Sequence, residues 1–231
     1  SDDPTVNNTR TSRTVTWVVT DANSDAVGAQ TSAGVTSAIT VTAVNDTSVS
    51  TAGGSLAYTE NGAAAVIDTT ITLTDADDTA LASATVTITS VVAGDLLAFT
   101  NTDSVLYGNI AAIYTAGTGE LALSSSGSTA TVAQWEAALR AVTYRSTSDD
   151  PTVNNTRTSR TVTWVVTDAN SDAVGAQTSA GVTSAITVTA VNDTPVGRAG
   201  GSLAYTEQGV AAAIDTTITL TDADDTALAS A

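Results

Sequence analysis

"RTVTWVVTD" stands at residues 160–168 and again, letter for letter, at 13–21. In the first copy Val15, Trp17 and Val19 fall on one side and Thr14, Thr16 and Val18 on the other. A period of two is the signature of a half-buried β-strand. Its neighbours read the same way. "AITVTAV" (38–44) sets Ile39, Val41 and Ala43 against Thr40 and Thr42, "TTITLTD" (69–75) sets Ile71 and Leu73 against Thr, and "ATVTITSVV" (84–92) sets Val86 and Ile88 against Thr. "LLAFT", "AIYTAGTGELALS" and "AVTYRST" add further short strands, with turn formers between them. The pattern predicts an all-β fold of antiparallel strands, arranged as a sandwich. One stretch differs. "TATVAQWEAALRAV" (129–142) places Val132, Trp135, Leu139 and Val142 at helical spacing, and Thr131 with Gln134 forms a capping box. One short helix per repeat is expected there, with Trp135 packed on the sheet. All three tryptophans, Trp17, Trp135 and Trp164, lie on apolar faces and are expected in cores.

The repeat sets the domain organisation. Residues 1–47 recur identically at 148–194, and 48–84 match 195–231 with six differences: Ser48/Pro195, Ser50/Gly197, Thr51/Arg198, Asn61/Gln208, Ala63/Val210 and Val66/Ala213. The period of 147 residues is domain-sized, too long for a solenoid turn. The turn-rich stretch after Asn45-Asp46 places the boundary there and at Asn192-Asp193. The chain then holds the C-terminal part of one repeat (1–45), a complete repeat (46–192) and the N-terminal part of the next (193–231). The polar opening "SDDPTVNNTR" reads as an excerpt of a longer chain. The end segments are expected to be ordered by neighbouring repeats, or by copies of the same chain exchanging strands.

Composition narrows the chemistry. Thr occurs 46 times, about one residue in five, and favours strands. There is no Cys, His, Met or Lys, and all seven basic residues are Arg. Thiolate and imidazole metal sites, Ser-His or Cys-His nucleophiles and disulfides are thereby excluded. A net charge of −17 argues against nucleic acid and anionic membrane surfaces as partners. No apolar run approaches the ~20 residues of a membrane-spanning helix. Paired carboxylates can hydrolyse glycosides, but these lie in turn-like loops with no aromatic platform, so no enzyme is expected.

Strand direction assigns the loops to ends. The last strand, 185–191, runs to the linker Asn192-Asp193, so its antiparallel partner 160–168 starts at that downstream end. Asp149 and Asp150, in the loop before that partner, belong downstream. The loop after Asp168 and the "DADD" turn of Asp75, Asp77 and Asp78 belong upstream. The junction near residue 46 is therefore expected to gather Asp2 and Asp3, Asn45 and Asp46, Asp75, Asp77 and Asp78, and Asp168 or Asp172. One period on, Asp149, Asp150, Asn192, Asp193, Asp222, Asp224 and Asp225 repeat the set. These are hard oxygen ligands of the kind Ca²⁺ takes six to eight of. The complete repeat carries 14 acidic residues against 4 Arg, so carboxylates gathered without a cation would repel. The same residue types also favour turns in their own right.

"YTENGAAAVIDTTITLTDADDTALASATVTI" (58–88), "GELALSSSGSTATVAQWEAALRAVTYRSTSD" (119–149) and "TVTWVVTDANSD…ITVTAVND" (161–193) together resemble the cadherin-like, Ig-like tandem repeats of giant bacterial surface adhesins, the biofilm-associated proteins exported by type I secretion. The resemblance implies an extracellular spacer at the bacterial surface, stiffened by calcium. Asp-Ala-Asp is similar to the Asp-x-Asp of cadherin junctions and Val-Asn-Asp to part of their linker. Glu60 is a loose match to their early glutamate, and a full linker motif is not present. A second reading is a recognition module that binds glycan or another surface through a Thr-rich sheet face.

Overall fold

Alternating Thr and apolar residues give strands because each strand buries one face and leaves the other to solvent. A computed structural model describes residues 3–230. In chain order the strands are β1 (Ser12–Trp17), β2 (Val35–Thr40), β3 (Val49–Thr51), β4 (Ser55–Thr59), β5 (Ala65–Val66), β6 (Thr72–Thr74), β7 (Leu81–Ile88), β8 (Asp95–Ala98), β9 (Ile110–Thr115), β10 (Glu120–Ser125), β11 (Thr143–Ser146), β12 (Ser159–Asp168), β13 (Val182–Thr189), β14 (Val196–Arg198) and β15 (Thr219–Thr221). The helices are α1 (Ser104–Tyr107) and α2 (Val132–Arg140). With 36% of residues in strands and 7% in helix, the fold is all-β.

The complete repeat carries a six-stranded sheet in the order β4-β13-β12-β7-β10-β9 and a three-stranded sheet β5-β11-β8. One buried cluster draws on both: Val86, Val162, Trp164 and Ile186 from the first, Leu97 and Tyr144 from the second. Helix α2 adds Trp135, Ala138 and Leu139. Its capping box forms as the sequence indicates: Thr131 Oγ1 accepts from Gln134 N at 3.2 Å and Gln134 Oε1 accepts from Thr131 N at 2.9 Å. Trp135 Nε1 donates to Leu81 O at 2.9 Å, tying the helix to the sheet.

Several expectations need correction. The pairing of β4 with β13 is parallel, with Ser55 beside Ala185 and Thr59 beside Thr189. The linker delivers the chain to the upstream end, so β4 runs downstream alongside the last strand. A second helical turn, α1, forms where Asp103 accepts from Val105 N at 2.8 Å and Leu106 N at 3.3 Å, and a 3₁₀ turn spans Ser126–Ser128. The strand expected at 69–75 shrinks to Thr72–Thr74, because α2 takes over its outer bonds: Leu73 N donates to Glu136 Oε2 at 3.0 Å and Arg140 Nε to Ile71 O at 2.6 Å.

Trp135 and Trp164 are buried, but Trp17 is 58% exposed. Hairpin β1-β2 has the register of β12-β13 residue for residue, from Ser12↔Thr40 to Trp17↔Val35, yet neither a β7 nor a β4 lies on it. Among the described residues of the downstream segment, β14 and β15 alone pair. Residues 202–206, the counterpart of β4, form no strand, since the β13 that templates β4 has no equivalent beside them.

Candidate metal centre

The "DADD" turn is fixed from both flanks. Before it, β6 is held by Glu136 and Arg140. After it, Val132 N donates to Thr79 O and Leu81 N to Ala130 O, each at 3.1 Å. Within it, Asp75 Oδ1 accepts from Asp77 N at 3.2 Å and from Asp78 N at 2.8 Å, an Asx turn that directs three carboxylates to one side. Each of Asp75, Asp77 and Asp78 offers an oxygen within 4.8 Å of the others, a grouping able to hold a metal ion.

The linker docks onto this turn. Asp46 N donates to Asp77 Oδ2 at 2.9 Å and Ser48 Oγ to Asp75 Oδ2 at 2.6 Å. Asn45 Nδ2 reaches the loop after β12, donating to Asp168 Oδ2 at 2.9 Å and Gly175 O at 2.7 Å. Ser171, in that loop, donates to Asp78 Oδ1 through its amide at 3.1 Å and also through its hydroxyl. Asp168 is wholly buried and Asp172 nearly so. The Asn45 amide adds no charge to this acidic group, so a neutral donor bridges the linker to a buried acid.

The downstream junction repeats the pattern with the other repeat's half. Asp193 N donates to Asp224 Oδ2 at 3.2 Å, the counterpart of the Asp46–Asp77 bond. Asp222 Oδ1 accepts from Asp224 N and Asp225 N at 3.3 and 3.1 Å, and these three acids again form a potential metal group. A third such group joins Glu60, Asp149 and Asp193. Asp150, Asp224 and Asp225 line a common cleft. Asn192 donates to Asp193 O at 3.1 Å rather than across the junction.

Electrostatics mark both junctions as strained. Burial, reinforced by the charges of Asp75 and Asp78, pushes Asp77 up to about 6 against the stabilising amide of Asp46. Burial and neighbouring Asp168, Asp75 and Asp172 raise Asp78 as well. Burial and then Asp193, Asp224 and Asp149 raise Glu60, opposed by the amide of Val191, which donates to Glu60 Oε2 at 2.8 Å. Among the described residues seven buried side-chain polar atoms have no hydrogen-bond partner, and six of them are here: Asn45 Oδ1, Asp77 Oδ1, Asp78 Oδ2, Asp172 Oδ1, Glu60 Oε1 and Asp224 Oδ1. Buried polar groups are nearly always satisfied. Six orphaned oxygen acceptors at two junctions are what a hard cation would satisfy.

The structure thus brings together Asn45, Asp46, Asp75, Asp77, Asp78 and Asp168 at one junction, and Asp149, Asp150, Asp193, Asp222, Asp224 and Asp225 at the other. Asp2 lies outside the described residues. Asp3 caps its own turn, accepting from Thr5 N at 3.1 Å and Asn7 N at 2.8 Å. Asp172 joins the upstream cluster and Glu60 the downstream one. Glu60 follows directly on β4, and only the parallel run of β4 toward the downstream end places it there. A scan against protein-family models and a search of curated proteins found no match for the chain.

Proposed function

We propose that this chain is a run of spacer repeats from a long extracellular bacterial adhesin or surface fibre, each repeat an Ig- or cadherin-like sandwich and each junction stiffened by Ca²⁺. The observation that carries the reading is the concentration of orphaned, buried oxygens at the two junctions. Because the period is exact through Asn45-Asp46 and Asn192-Asp193 and first departs at Ser48/Pro195, the two junctions are complementary views of one site that differ in the Ser48–Asp75 bond. The upstream one supplies the acids of the following repeat, Asp75, Asp77, Asp78, Asp168 and Asp172. The downstream one supplies those of the preceding repeat, Glu60, Asp149 and Asp150. Asn45-Asp46 and Asn192-Asp193 are the shared linker. A cation there would neutralise like charges that otherwise push the repeats apart, and so fix their relative orientation. Affinity on the order of 10⁻⁴–10⁻³ M suits extracellular modules.

The test is titration of the chain with Ca²⁺ by calorimetry, with small-angle scattering in chelator and in excess Ca²⁺. The reading requires heat of binding, and a longer, stiffer particle with Ca²⁺. Asp75→Asn, Asp77→Asn and Asp78→Asn combined should reproduce the chelated state. Length and melting temperature indifferent to both chelator and Ca²⁺ would overturn it.

A second reading draws on the outer face of the six-stranded sheet, where Thr183, Thr163 and Thr87 form a row across β13, β12 and β7. A regular hydroxyl array is a surface that glycan or another ordered surface could recognise. Binding of the chain to a glycan array, lost on Thr87→Lys and Thr163→Lys, distinguishes it from a pure spacer.

A further inference from the structure

Residues 48–84 recur at 195–231 with six differences, and none of the six alters an acid. Three of them fall where the linker enters the following repeat: Ser48/Pro195, Ser50/Gly197 and Thr51/Arg198. Residues 49–51 form β3, which pairs with β6 so that Val49 stands beside Thr74. The linker is thereby laid against the strand that leads into Asp75. The acids of the junction are kept from one copy to the next, and the residues that approach them change.

Ser48 is buried, and its Oγ donates to Asp75 Oδ2 at 2.6 Å. The other oxygen of Asp75 accepts from Asp77 N at 3.2 Å and Asp78 N at 2.8 Å. The carboxylate is therefore held at both ends, facing the orphaned Asp77 Oδ1 and Asp78 Oδ2. An ionised carboxylate has about four lone-pair positions, so three accepted bonds leave room for an ion. Ser50 Oγ, two residues on, is buried without a hydrogen-bond partner. Of these two hydroxyls, Ser48 alone acts on the acidic group.

In the next copy the remaining bonds persist. Asp193 N donates to Asp224 Oδ2 at 3.2 Å, as Asp46 N does to Asp77, and Asp222 Oδ1 accepts from Asp224 N at 3.3 Å and Asp225 N at 3.1 Å. Pro195 has neither a hydroxyl nor an N–H, so that position offers Asp222 Oδ2 no donor. A carboxylate held at one oxygen only is free to turn away from the like charges beside it. Holding it in place before an ion arrives removes that cost from binding. Hydrogen bonds to ligating carboxylates act in this way, orienting the ligand from outside.

We infer that the residue at position 48 of the repeat, serine in one copy and proline in the next, sets how tightly its junction holds Ca²⁺. Ser48 is a positioning residue that tightens the site of Asp75, Asp77 and Asp78, and Pro195 leaves the site of Asp222, Asp224 and Asp225 weaker. The inference rests on the calcium reading proposed above and adds a grading to it. As Ca²⁺ is withdrawn, a junction with proline at this position releases its ion before one with serine.

The test measures Ca²⁺ affinity by calorimetry on the whole chain carrying Glu60→Gln, Asp222→Asn, Asp224→Asn and Asp225→Asn, which leaves the upstream site to be read by itself. In that background Ser48→Ala should weaken Ca²⁺ binding about tenfold, the scale on which partners of a ligating carboxylate act. Ser48→Thr, which keeps the hydroxyl, should retain the affinity. So should Ser50→Gly, which removes a hydroxyl that has no partner. In the converse background of Asp75→Asn, Asp77→Asn and Asp78→Asn, Pro195→Ser should tighten binding several-fold. Ca²⁺ binding that ignores both Ser48→Ala and Pro195→Ser overturns this inference and leaves the calcium reading standing. Equal losses on Ser48→Ala and Ser50→Gly overturn it too, since the loss would then follow packing and not the bond to Asp75. No heat of binding in the unaltered chain overturns both.

Discussion

Arg160 Nε donates to Asp95 Oδ2 at 2.6 Å, with both side chains fully removed from solvent. Asp95 also accepts from Tyr144 Oη at 2.6 Å, Val92 N at 2.7 Å and Arg160 Nη2 at 3.3 Å, while the other Arg160 donors go to the Pro151, Arg157 and Ser159 carbonyls. The pair joins β8 and β12, strands of the two sheets, and anchors the downstream acidic loop. Removing one partner leaves the other charged and buried, which costs about 3–5 kcal/mol. Asp95→Ala is expected to lower unfolding free energy by that amount in urea titration. Asp95→Ala with Arg160→Met should recover part of it, because the orphaned charge is gone.

Gly54 is required by a close approach. A Cβ there would collide with the carboxyl carbon and oxygens of Asp68. The Asp68 carboxylate cannot give way: it accepts from Gly53 N at 3.1 Å, Gly54 N at 2.7 Å, Thr70 N at 2.7 Å and Ser184 Oγ at 2.6 Å. Burial opposes its charge, but these bonds hold the carboxyl well below the usual range. Gly54→Ala is expected to destabilise the repeat by about 1–3 kcal/mol, the range for overpacking. Gly53→Ala, whose Cβ meets nothing within 4 Å, should be much milder in the same melt.

Much of this fold is legible in sequence because the alternation is local. Val162, Trp164 and Val166 are buried as a period of two requires, and Thr131 with Gln134 announces α2. The "DADD" cluster is also legible, since its three acids lie within one turn. Glu60 is not, because its partners Asp149 and Asp193 are distant in sequence and meet it only through the parallel pairing of β4. Asp95 gives no signal either: an Asp opening a strand looks like a turn former until Arg160 is placed opposite it.

The three tryptophans should report their different settings. Trp135 and Trp164 are buried and Trp17 is not. At low chain concentration acrylamide is expected to quench one component of the fluorescence, red-shifted relative to the rest. Trp17→Phe should remove that component and leave the blue-shifted emission nearly unquenched. Equal loss of quenchable signal on Trp164→Phe would contradict the assignment.

Calcium and protons should act on the junctions in opposite senses. Asp77 has its carboxyl pushed up to about 6, from an ordinary value of 3.8, by burial and by neighbouring acids. With the folded value above the unfolded one, the folded state binds more protons between them, so stability falls as pH rises through that interval. In chelator, then, the contribution of Asp77 to thermal stability is expected to be greatest below about pH 4, to decline up to about pH 6 and to level off above it. On the Ca²⁺ reading proposed above, the slope should reverse with Ca²⁺ present, because the cation needs the deprotonated carboxylates and a proton competes with it. Calorimetric Ca²⁺ affinity should therefore fall as pH drops below about 6. Asp77→Asn should flatten the chelated profile by removing the titrating group, and weaken Ca²⁺ binding at pH 7 at least tenfold. A metal-free melting temperature that rises between pH 4 and pH 6 would show that Asp77 is charged throughout, and that its neighbours do not repel it.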